Sequence, residues 1–225
     1  MKPSVLNTIL SYLTEMHIES IESDYNEVLD VYLKHGRYQL CTANAIYSYA
    51  DKYANFKDSF HMIDLDKEKI DSVLLLGFGL GSIPYMLEKK FNKKYTYTGV
   101  EIDESIIYLA SKYVLDELKS DVELIQADAY LYIYQSLMKY DLICIDIFVD
   151  DKIPDVFLGL DFLNATAENL AENGFIMFNH LSNTKSDMEA AAAYFENVFK
   201  QVFHEGVCLD VRGNRMMISD GRVIK

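Results

Sequence analysis

The stretch VLLLGFGLGSIPYML, Val73–Leu87, decides the fold that we expect for this chain. Its aliphatic run predicts a buried strand, and the pattern from Ser82 onward predicts a helix with proline in its first turn, where proline is tolerated. Between them lie three glycines, Gly77, Gly79 and Gly81. Glycine lets a backbone turn tightly and approach a ligand, and the helix that follows offers free N–H groups. The stretch therefore predicts a strand–loop–helix unit that holds a nucleotide or a nucleoside.

Strand and helix patterns alternate from residue 71 onward, through KYTYTGVEID, VELIQAD, YDLICIDIF and FIMFNHL, each followed by a helix pattern. One of these helices, LDFLNATAENLAENG, is expected to end at Gly174, because glycine is a natural left-handed cap. The last two strand patterns are joined through RGN without a helix, so they should pair antiparallel. Such alternation requires a mostly parallel sheet covered by helices on both faces. We predict an α/β, Rossmann-like fold with a seven-stranded sheet that ends in an antiparallel hairpin.

The N-terminal part of the chain has a different character. Val5–Met16 predicts a short helix, His17–Cys41 predicts two or three antiparallel strands around an HGR turn, and Thr42–Phe56 predicts a helix with its aromatic residues on one side. We therefore expect a small helix and β-strand region over residues 1–60 and a nucleoside-binding domain over residues 61–225.

Composition limits the classes of partner. The chain has 225 residues and a net charge of −14, which argues against nucleic acid as a partner but allows a small cationic substrate; plain solubility also accounts for the acidity. Its three cysteines lack metal-ligand spacing, so we expect no metal site and a reducing, cytoplasmic location. No run of about 18 apolar residues occurs, so we expect no membrane partner.

Acidic residues follow the predicted strands at the edge where ligands bind in open parallel sheets. Glu101 ends the strand after the glycine loop and can accept both ribose hydroxyl hydrogens, or it can be a surface carboxylate. Asp103 suits the capping of the next helix better. Asp128 ends the third strand and can accept a hydrogen bond from the adenine amine or cap its helix.

A further acidic group follows the most apolar strand. Asp146 ends that strand, and Asp150 and Asp151 lie in the loop after it. Carboxylates at the mouth of a pocket can orient or deprotonate an amine, and Asp146 is the strongest candidate because the end of a central strand is a poor place for an idle charge. Asp150 and Asp151 also suit a solvated loop. His180, at the end of the fifth strand, is another candidate base or a structural histidine.

Two classes of nucleoside-binding enzyme share the glycine loop and the acidic residue after it. NAD-dependent enzymes place glycine or alanine where this chain has Ser82. The terminal hairpin discriminates better, because a seven-stranded sheet with one reversed strand is the architecture of class I S-adenosylmethionine-dependent methyltransferases. We therefore prefer the second class.

Within that superfamily the sequence resembles the spermidine synthase branch. HGRYQLCTANAIYSYAD supplies Gly36, Gln39 and Tyr49 of the family's N-terminal pattern, and Asp146 opens the catalytic loop. The resemblance implies a homodimer through the N-terminal strands and S-adenosylmethionine or its decarboxylated form as the cofactor. It also implies, with the strand-end arguments above, that Asp146 and Asp150 are catalytic. The implied cofactor-binding residues are Gln39, Gly77, Gly79, Gly81, Glu101, Asp128 and Ala129.

Several family positions differ in this chain. Leu80 replaces the glycine-loop aspartate that holds the amine of the aminopropyl group, Val149 replaces the second aspartate of the catalytic loop, and the N-terminal acidic pair falls on Asn44 and Ala45. Burying a polyamine requires several carboxylates. We therefore expect transfer of a methyl or other alkyl group to a small acceptor such as an amine. The alternatives are a polyamine aminopropyltransferase and a non-catalytic nucleoside-binding relative.

Overall fold

The computed structural model describes residues 2–225, and its strands form two sheets. The first sheet is antiparallel, in the order β1-β2-β3-β4, and the second has seven strands. The strands are β1 Met16–Ile21, β2 Leu29–Lys34, β3 Arg37–Cys41, β4 Ile46–Ser48, β5 Ser72–Leu76, β6 Thr96–Glu101, β7 Val122–Gln126, β8 Tyr140–Ile145, β9 Leu170–Leu181, β10 Val207–Val211 and β11 Asn214–Ile218. The helices are α1 Val5–Leu10, α2 Ala54–Met62, α3 Ser82–Lys89, α4 Glu104–Tyr113, α5 Ala129–Gln135, α6 Leu160–Glu168 and α7 Lys185–Tyr194, which continues through a π-helical turn, Phe195–Phe199, to Val202.

The seven-stranded sheet confirms the predicted α/β class. Its order is β10-β11-β9-β8-β5-β6-β7, with β5, β6, β7, β8 and β9 parallel and β11 antiparallel to both of its neighbours. The hairpin between β10 and β11 turns through Arg212 and Gly213, whose φ angles are 45° and 83°. Two successive left-handed residues match the twist of a two-residue hairpin.

Both faces of this sheet are covered. Along β5, Val73 and Leu75 pack into one apolar cluster while Leu74 and Leu76 pack into another on the opposite face. This alternation follows from the two-residue period of a strand, and burial on both sides explains why the strand is a continuous aliphatic run. Among residues 2–225, no helix is long and apolar enough to cross a membrane.

The N-terminal elements differ from the sequence prediction. The first helix ends at Leu10 instead of Met16, whereas the strands expected over His17–Cys41 do form, as β1, β2 and β3. A helix over Thr42–Phe56 is wrong: residues Ile46–Ser48 form β4, and α2 begins only at Ala54. The turn that reverses the chain before β4 is closed by a hydrogen bond from the Thr42 N–H to the Ala45 carbonyl (2.9 Å), which favours strand pairing over a helix. The proposed boundary between residues 60 and 61 stays a prediction, and it falls inside α2.

The helix expected to end at Gly174 also ends earlier, at Glu168. Gly174 lies in β9, where a Cβ atom would be 2.7 Å from the carbonyl oxygen of Tyr140. The left-handed residue is its neighbour Asn173, with φ of 65°. Glycine is therefore required here by the close approach of β8 to β9.

Gly77 determines how closely the glycine loop approaches β8. Its φ is 84°, and a Cβ atom there would lie 2.2 Å from the carbonyl oxygen of Asp146 and 2.9 Å from the carbonyl carbon. The obstructing atoms are backbone, so they cannot rotate away. A glycine at this position therefore lets the end of β5 lie against the end of β8.

We expect Gly77→Ala to lower the free energy of unfolding by at least about 3 kcal/mol, since left-handed backbone strain adds to a backbone clash. Gly159→Ala is the control, because a Cβ there meets only the Val156 carbonyl, at 3.8 Å. Urea unfolding should place that control within about 1 kcal/mol of the parent. Equal stability of the two variants would contradict this account of Gly77.

Candidate functional site

A cavity of about 850 Å³ lies where the carboxyl ends of β5, β6, β8 and β9 face β4 and the start of α2. This is the edge at which open parallel sheets bind ligands. Seven carboxylates line it: Glu101, Asp103, Asp128, Asp146, Asp150, Asp151 and Asp187. Three basic residues line it as well: Lys52, Lys152 and Arg212. Seven acidic minus three basic groups leave a formal excess of four negative charges, which favours a cationic ligand.

Asp146 lies in this cavity directly after β8. Its Oδ1 accepts hydrogen bonds from Asn179 Nδ2 (2.8 Å) and Tyr53 Oη (3.3 Å), and Asn214 Nδ2 in turn donates to Asn179 Oδ1 (2.9 Å). Among the described residues, nothing donates to Oδ2 of Asp146. Burial raises the pKa of Asp146 to about 6, while the two hydrogen bonds oppose that rise. The carboxylate is thus held in place at one oxygen, and its pKa suits proton transfer near neutral pH.

Glu101, at the end of β6, is buried beneath the glycine loop. Its Oε2 accepts from the backbone N–H groups of Phe78 (3.1 Å) and Gly79 (3.3 Å), and its Oε1 accepts from those of Ile102 (3.0 Å) and Asp103 (3.2 Å). Burial raises the pKa of Glu101, and these backbone hydrogen bonds oppose the rise. The carboxylate therefore ties the glycine loop to β6 as well as lining the cavity.

Two other predicted carboxylates cap helices. Asp103 Oδ1 accepts from the Ser105 N–H (2.9 Å) at the start of α4, which confirms the capping role. Asp128 Oδ1 accepts from the N–H groups of Tyr130 (2.7 Å) and Leu131 (3.2 Å) at the start of α5. Asp128 therefore caps its helix. Because Asp128 and Ala129 also line the cavity, a contact with the adenine base stays a prediction.

Asp150 has both carboxylate oxygens engaged by the protein. Oδ1 accepts from Thr42 Oγ1 (2.8 Å) and from the Asn44 N–H (3.1 Å), and Oδ2 accepts from Asn44 Nδ2 (2.6 Å). The hydrogen bonds from Asn44 and Thr42 hold the pKa of Asp150 below its ordinary value. Its predicted catalytic role stays a prediction, and its contacts are those of a structural link.

Three predicted residues lie away from the cavity among the residues that the structure describes. Gln39 is buried within β3, and Gly81 begins α3 in a left-handed conformation. His180 is buried against Phe178 and Tyr194, and burial lowers the pKa of its imidazole to about 3. The proposal of His180 as a base is corrected, because strand alternation turns its neighbour Asn179 toward Asp146 instead.

Sequence reasoning missed the neutral groups of the site. The helix that the sequence predicts over Tyr53 does not form there, and the sequence favours His180 over its neighbour Asn179. From the sequence, Ser82 is only a departure from the dinucleotide pattern. In the structure its Oγ is 2.6 Å from Ser48 Oγ and accepts from the Tyr49 N–H (2.8 Å), which joins the start of α3 to β4.

Solved structures establish the class of fold. The chain matches human methyltransferase-like protein 13, in complex with SAH, with a TM-score of 0.56 and 23% identity, over 68% of this chain and 72% of that one. It matches a probable spermidine synthase from Corynebacterium glutamicum with a TM-score of 0.73 and 16% identity, over 89% of this chain and 78% of that one. It also matches a spermidine synthase in complex with the transition-state analogue AdoDATO, with a TM-score of 0.67 and 16% identity. That match covers 90% of this chain and 71% of the other. The fold is thus the class I methyltransferase fold in its spermidine synthase-like form.

Curated sequences narrow the resemblance, although no protein-family model matches the chain. The chain is 27% identical over 154 residues to the polyamine aminopropyltransferase of Vibrio vulnificus, covering 67% of this chain and 50% of that protein. It is 33% identical over 112 residues to the probable polyamine aminopropyl transferase of Bifidobacterium longum, covering 50% of this chain and 24% of that protein. The chain therefore spans half or less of the length of each of these relatives.

These comparisons contradict methyl transfer, the reaction expected from the sequence. Both curated relatives are named as aminopropyltransferases, and two of the three fold neighbours are spermidine synthases. The expectation gave too much weight to Leu80. That side chain is 2% exposed in the apolar core, and it is absent from the lining that the described residues give the cavity. A cation site does not depend on a carboxylate at position 80 alone, since seven carboxylates from other positions line the cavity.

The raised pKa of Asp146 has a consequence for stability. Because the folded pKa is above the unfolded value of 3.8, the carboxylate destabilises the fold increasingly as the pH rises from about 4 through about 6. We expect Asp146→Asn to raise the free energy of unfolding by about 2–3 kcal/mol at pH of about 8, and by much less at pH of about 4. Asp151→Asn, in an exposed loop position, should change it by about 0.5 kcal/mol or less. A lower free energy of unfolding for Asp146→Asn at the higher pH would contradict the conclusion that burying the Asp146 carboxylate destabilises the fold.

Proposed function

We propose that the protein transfers an aminopropyl group from decarboxylated S-adenosylmethionine to a small amine. The carboxylate-lined cavity is the observation that carries the proposal, since donor and acceptor are both cations. Similarity to polyamine aminopropyltransferases over 67% of the chain supports the choice of reaction. The fold neighbours solved with SAH and with AdoDATO support a ligand of the adenosyl-sulfur type.

The residues around the glycine loop fit an adenosyl group. Gly77 and Gly79 line the cavity, and neither has a side chain that would occupy it. At Gly79 there is also little room for one, because a Cβ would lie 3.3 Å from the Tyr47 carbonyl oxygen. In this proposal Glu101, held rigid by four backbone N–H groups, accepts the ribose hydroxyl hydrogens, and Asp128 with Ala129 contacts the base. The bound donor supplies a sulfonium as the leaving group.

Asp146 acts on the acceptor. A protonated amine is no nucleophile, so the chain must take a proton from it before nitrogen bonds to carbon. The free Oδ2 of Asp146 accepts that proton while Tyr53 and Asn179 hold Oδ1. The new N–C bond forms as the C–S bond breaks, and the electron pair of that bond stays on sulfur in the neutral thioether. The chain otherwise contributes orientation, because the sulfonium itself drives the displacement.

The ammonium of the aminopropyl group needs partners other than Leu80. Tyrosine faces attract organic cations, and four tyrosines line the cavity: Tyr25, Tyr47, Tyr49 and Tyr53. Together with the cavity carboxylates, they provide a cation-binding wall without an acidic residue in the glycine loop.

We also propose the homodimer and the cytoplasmic location expected from the sequence. The helix α1 buries none of its residues, and Val5, Leu6 and Ile9 are each at least 60% exposed. A six-residue helix gains little stability by itself, so a partner surface would stabilise it. This exposed face supports self-association.

The proposal is tested by turnover with decarboxylated S-adenosylmethionine and 1,4-diaminobutane. We expect 5′-methylthioadenosine and the aminopropylated amine to form in equal amounts. Asp146→Asn should lower kcat/KM by about 100-fold or more, since general-base catalysis is removed. The parent rate should fall as the pH drops below about 6, because Asp146 becomes protonated.

Asp151→Asn is the control, since it removes one carboxylate from the same cavity without touching Asp146. Thioether release without any aminopropylated product, or Asp146→Asn turning over at the parent rate, would contradict the proposed reaction. Binding of the nucleoside without turnover of any amine would favour a non-catalytic relative instead.

A further inference from the structure

The loop after β8 forms one wall of the cavity, from Asp146 to Pro154. Its tip is folded by paired backbone hydrogen bonds between Val149 and Lys152, of 2.8 Å and 3.1 Å. At this tip Asp150 has a φ of 53°, in the left-handed region that aspartate and asparagine tolerate better than most residues. The turn therefore brings one particular carboxylate to the tip of the loop.

That carboxylate joins the loop to the turn between β3 and β4. It accepts three hydrogen bonds from Thr42 and Asn44, which lie 108 and 106 residues earlier in the chain. Hydrogen bonds to an ionised acceptor are stronger than neutral ones. The low pKa of Asp150 keeps it ionised throughout the neutral range. Two walls of the cavity from distant parts of the sequence are thus connected at one residue.

A second set of contacts lies beside the first. Tyr47 Oη lies within hydrogen-bond distance of the Phe148 carbonyl oxygen (3.2 Å) and of Asn26 Oδ1 (2.9 Å), and Asn26 Oδ1 also accepts from the Asp150 N–H (3.4 Å). Tyr47, Asn26 and Asn44 themselves line the cavity. The connection therefore runs through groups that surround the ligand space.

We propose that Asp150 is a positioning residue, which fastens the loop after β8 to the β3–β4 turn and thereby fixes Asp146 and the acceptor end of the cavity. The proposal rests on the proposed function, because it gives Asp150 a part in the same reaction. It differs from a catalytic role in that both oxygens of Asp150 are occupied by protein donors, whereas Asp146 keeps one oxygen free. Asp150 acts through Asp146, which lies four residues earlier.

Hydrogen exchange tests the fastening without any turnover. Asp150→Asn keeps the size and the left-handed tolerance of the residue but turns one acceptor oxygen into a donor that meets Asn44 Nδ2. We expect the amides of residues 147–152 and 43–46 to exchange about tenfold faster. Asp151→Asn removes the same charge from the neighbouring residue and should leave these amides near the parent rates. Equal exchange in the two variants would overturn the proposal.

Kinetics test the consequence for the reaction. In Asp150→Asn we expect kcat/KM for the amine to fall about tenfold, mainly through KM, with 5′-methylthioadenosine dissociating faster by a similar factor. The reciprocal double variant Asn44→Asp with Asp150→Asn restores a carboxylate–amide pair and should recover most of the loss. A large fall in kcat alone, with parent exchange rates, would overturn the proposal in favour of direct catalysis. If no amine is turned over by the parent protein, the proposed function fails, while the exchange experiment still decides whether Asp150 fastens the loop.

Discussion

The approach of Gly77 to the backbone of Asp146 is the contact on which the rest of the site depends. Any side chain at residue 77 would overlap the Asp146 carbonyl, so the glycine loop lies against the end of β8 only because glycine is there. Glu101 then accepts the N–H groups of the loop and ties it to β6. Three neighbouring strands thus end at one small volume, with a carboxylate after two of them. The requirement for glycine at position 77 in this way brings residues that are far apart in the sequence into one site.

The same arrangement explains the electrostatics of the cavity. Seven carboxylates around one space repel one another, and burial raises the pKa values of Asp146 and Glu101. A bound cation would relieve both effects, which is why the cavity favours positively charged ligands over a dinucleotide phosphate. In the proposed reaction the free oxygen of Asp146 accepts the proton of the amine, and we propose a structural role for Asp150, whose two oxygens are both engaged by the protein.

The seven-stranded sheet was predictable because its information is local. The central strands β5 and β8 show apolar runs, each crossover shows helical periodicity, and the RGN turn indicates the hairpin. The identity of the carboxylates at the strand ends followed from the same pattern. What the sequence did not predict depends on distant contacts. The partner of Asp150 lies 106 residues away, the closeness of Tyr140 explains Gly174, and pairing with β3 turns residues 46–48 into a strand. Leu80 was overvalued for a related reason, since a family position reveals a residue type but not where its side chain lies.

The measurement that tests the central claim most directly is calorimetric titration of the protein with decarboxylated S-adenosylmethionine and, in parallel, with the carboxylated form. The two ligands differ by one negative charge on the tail beyond the nucleoside, so the comparison isolates the charge preference of the cavity. With an excess of four negative charges around it, the cavity should bind the decarboxylated form at least about tenfold more tightly at low ionic strength, and salt should reduce the difference. Equal or tighter binding of the carboxylated form would contradict the account.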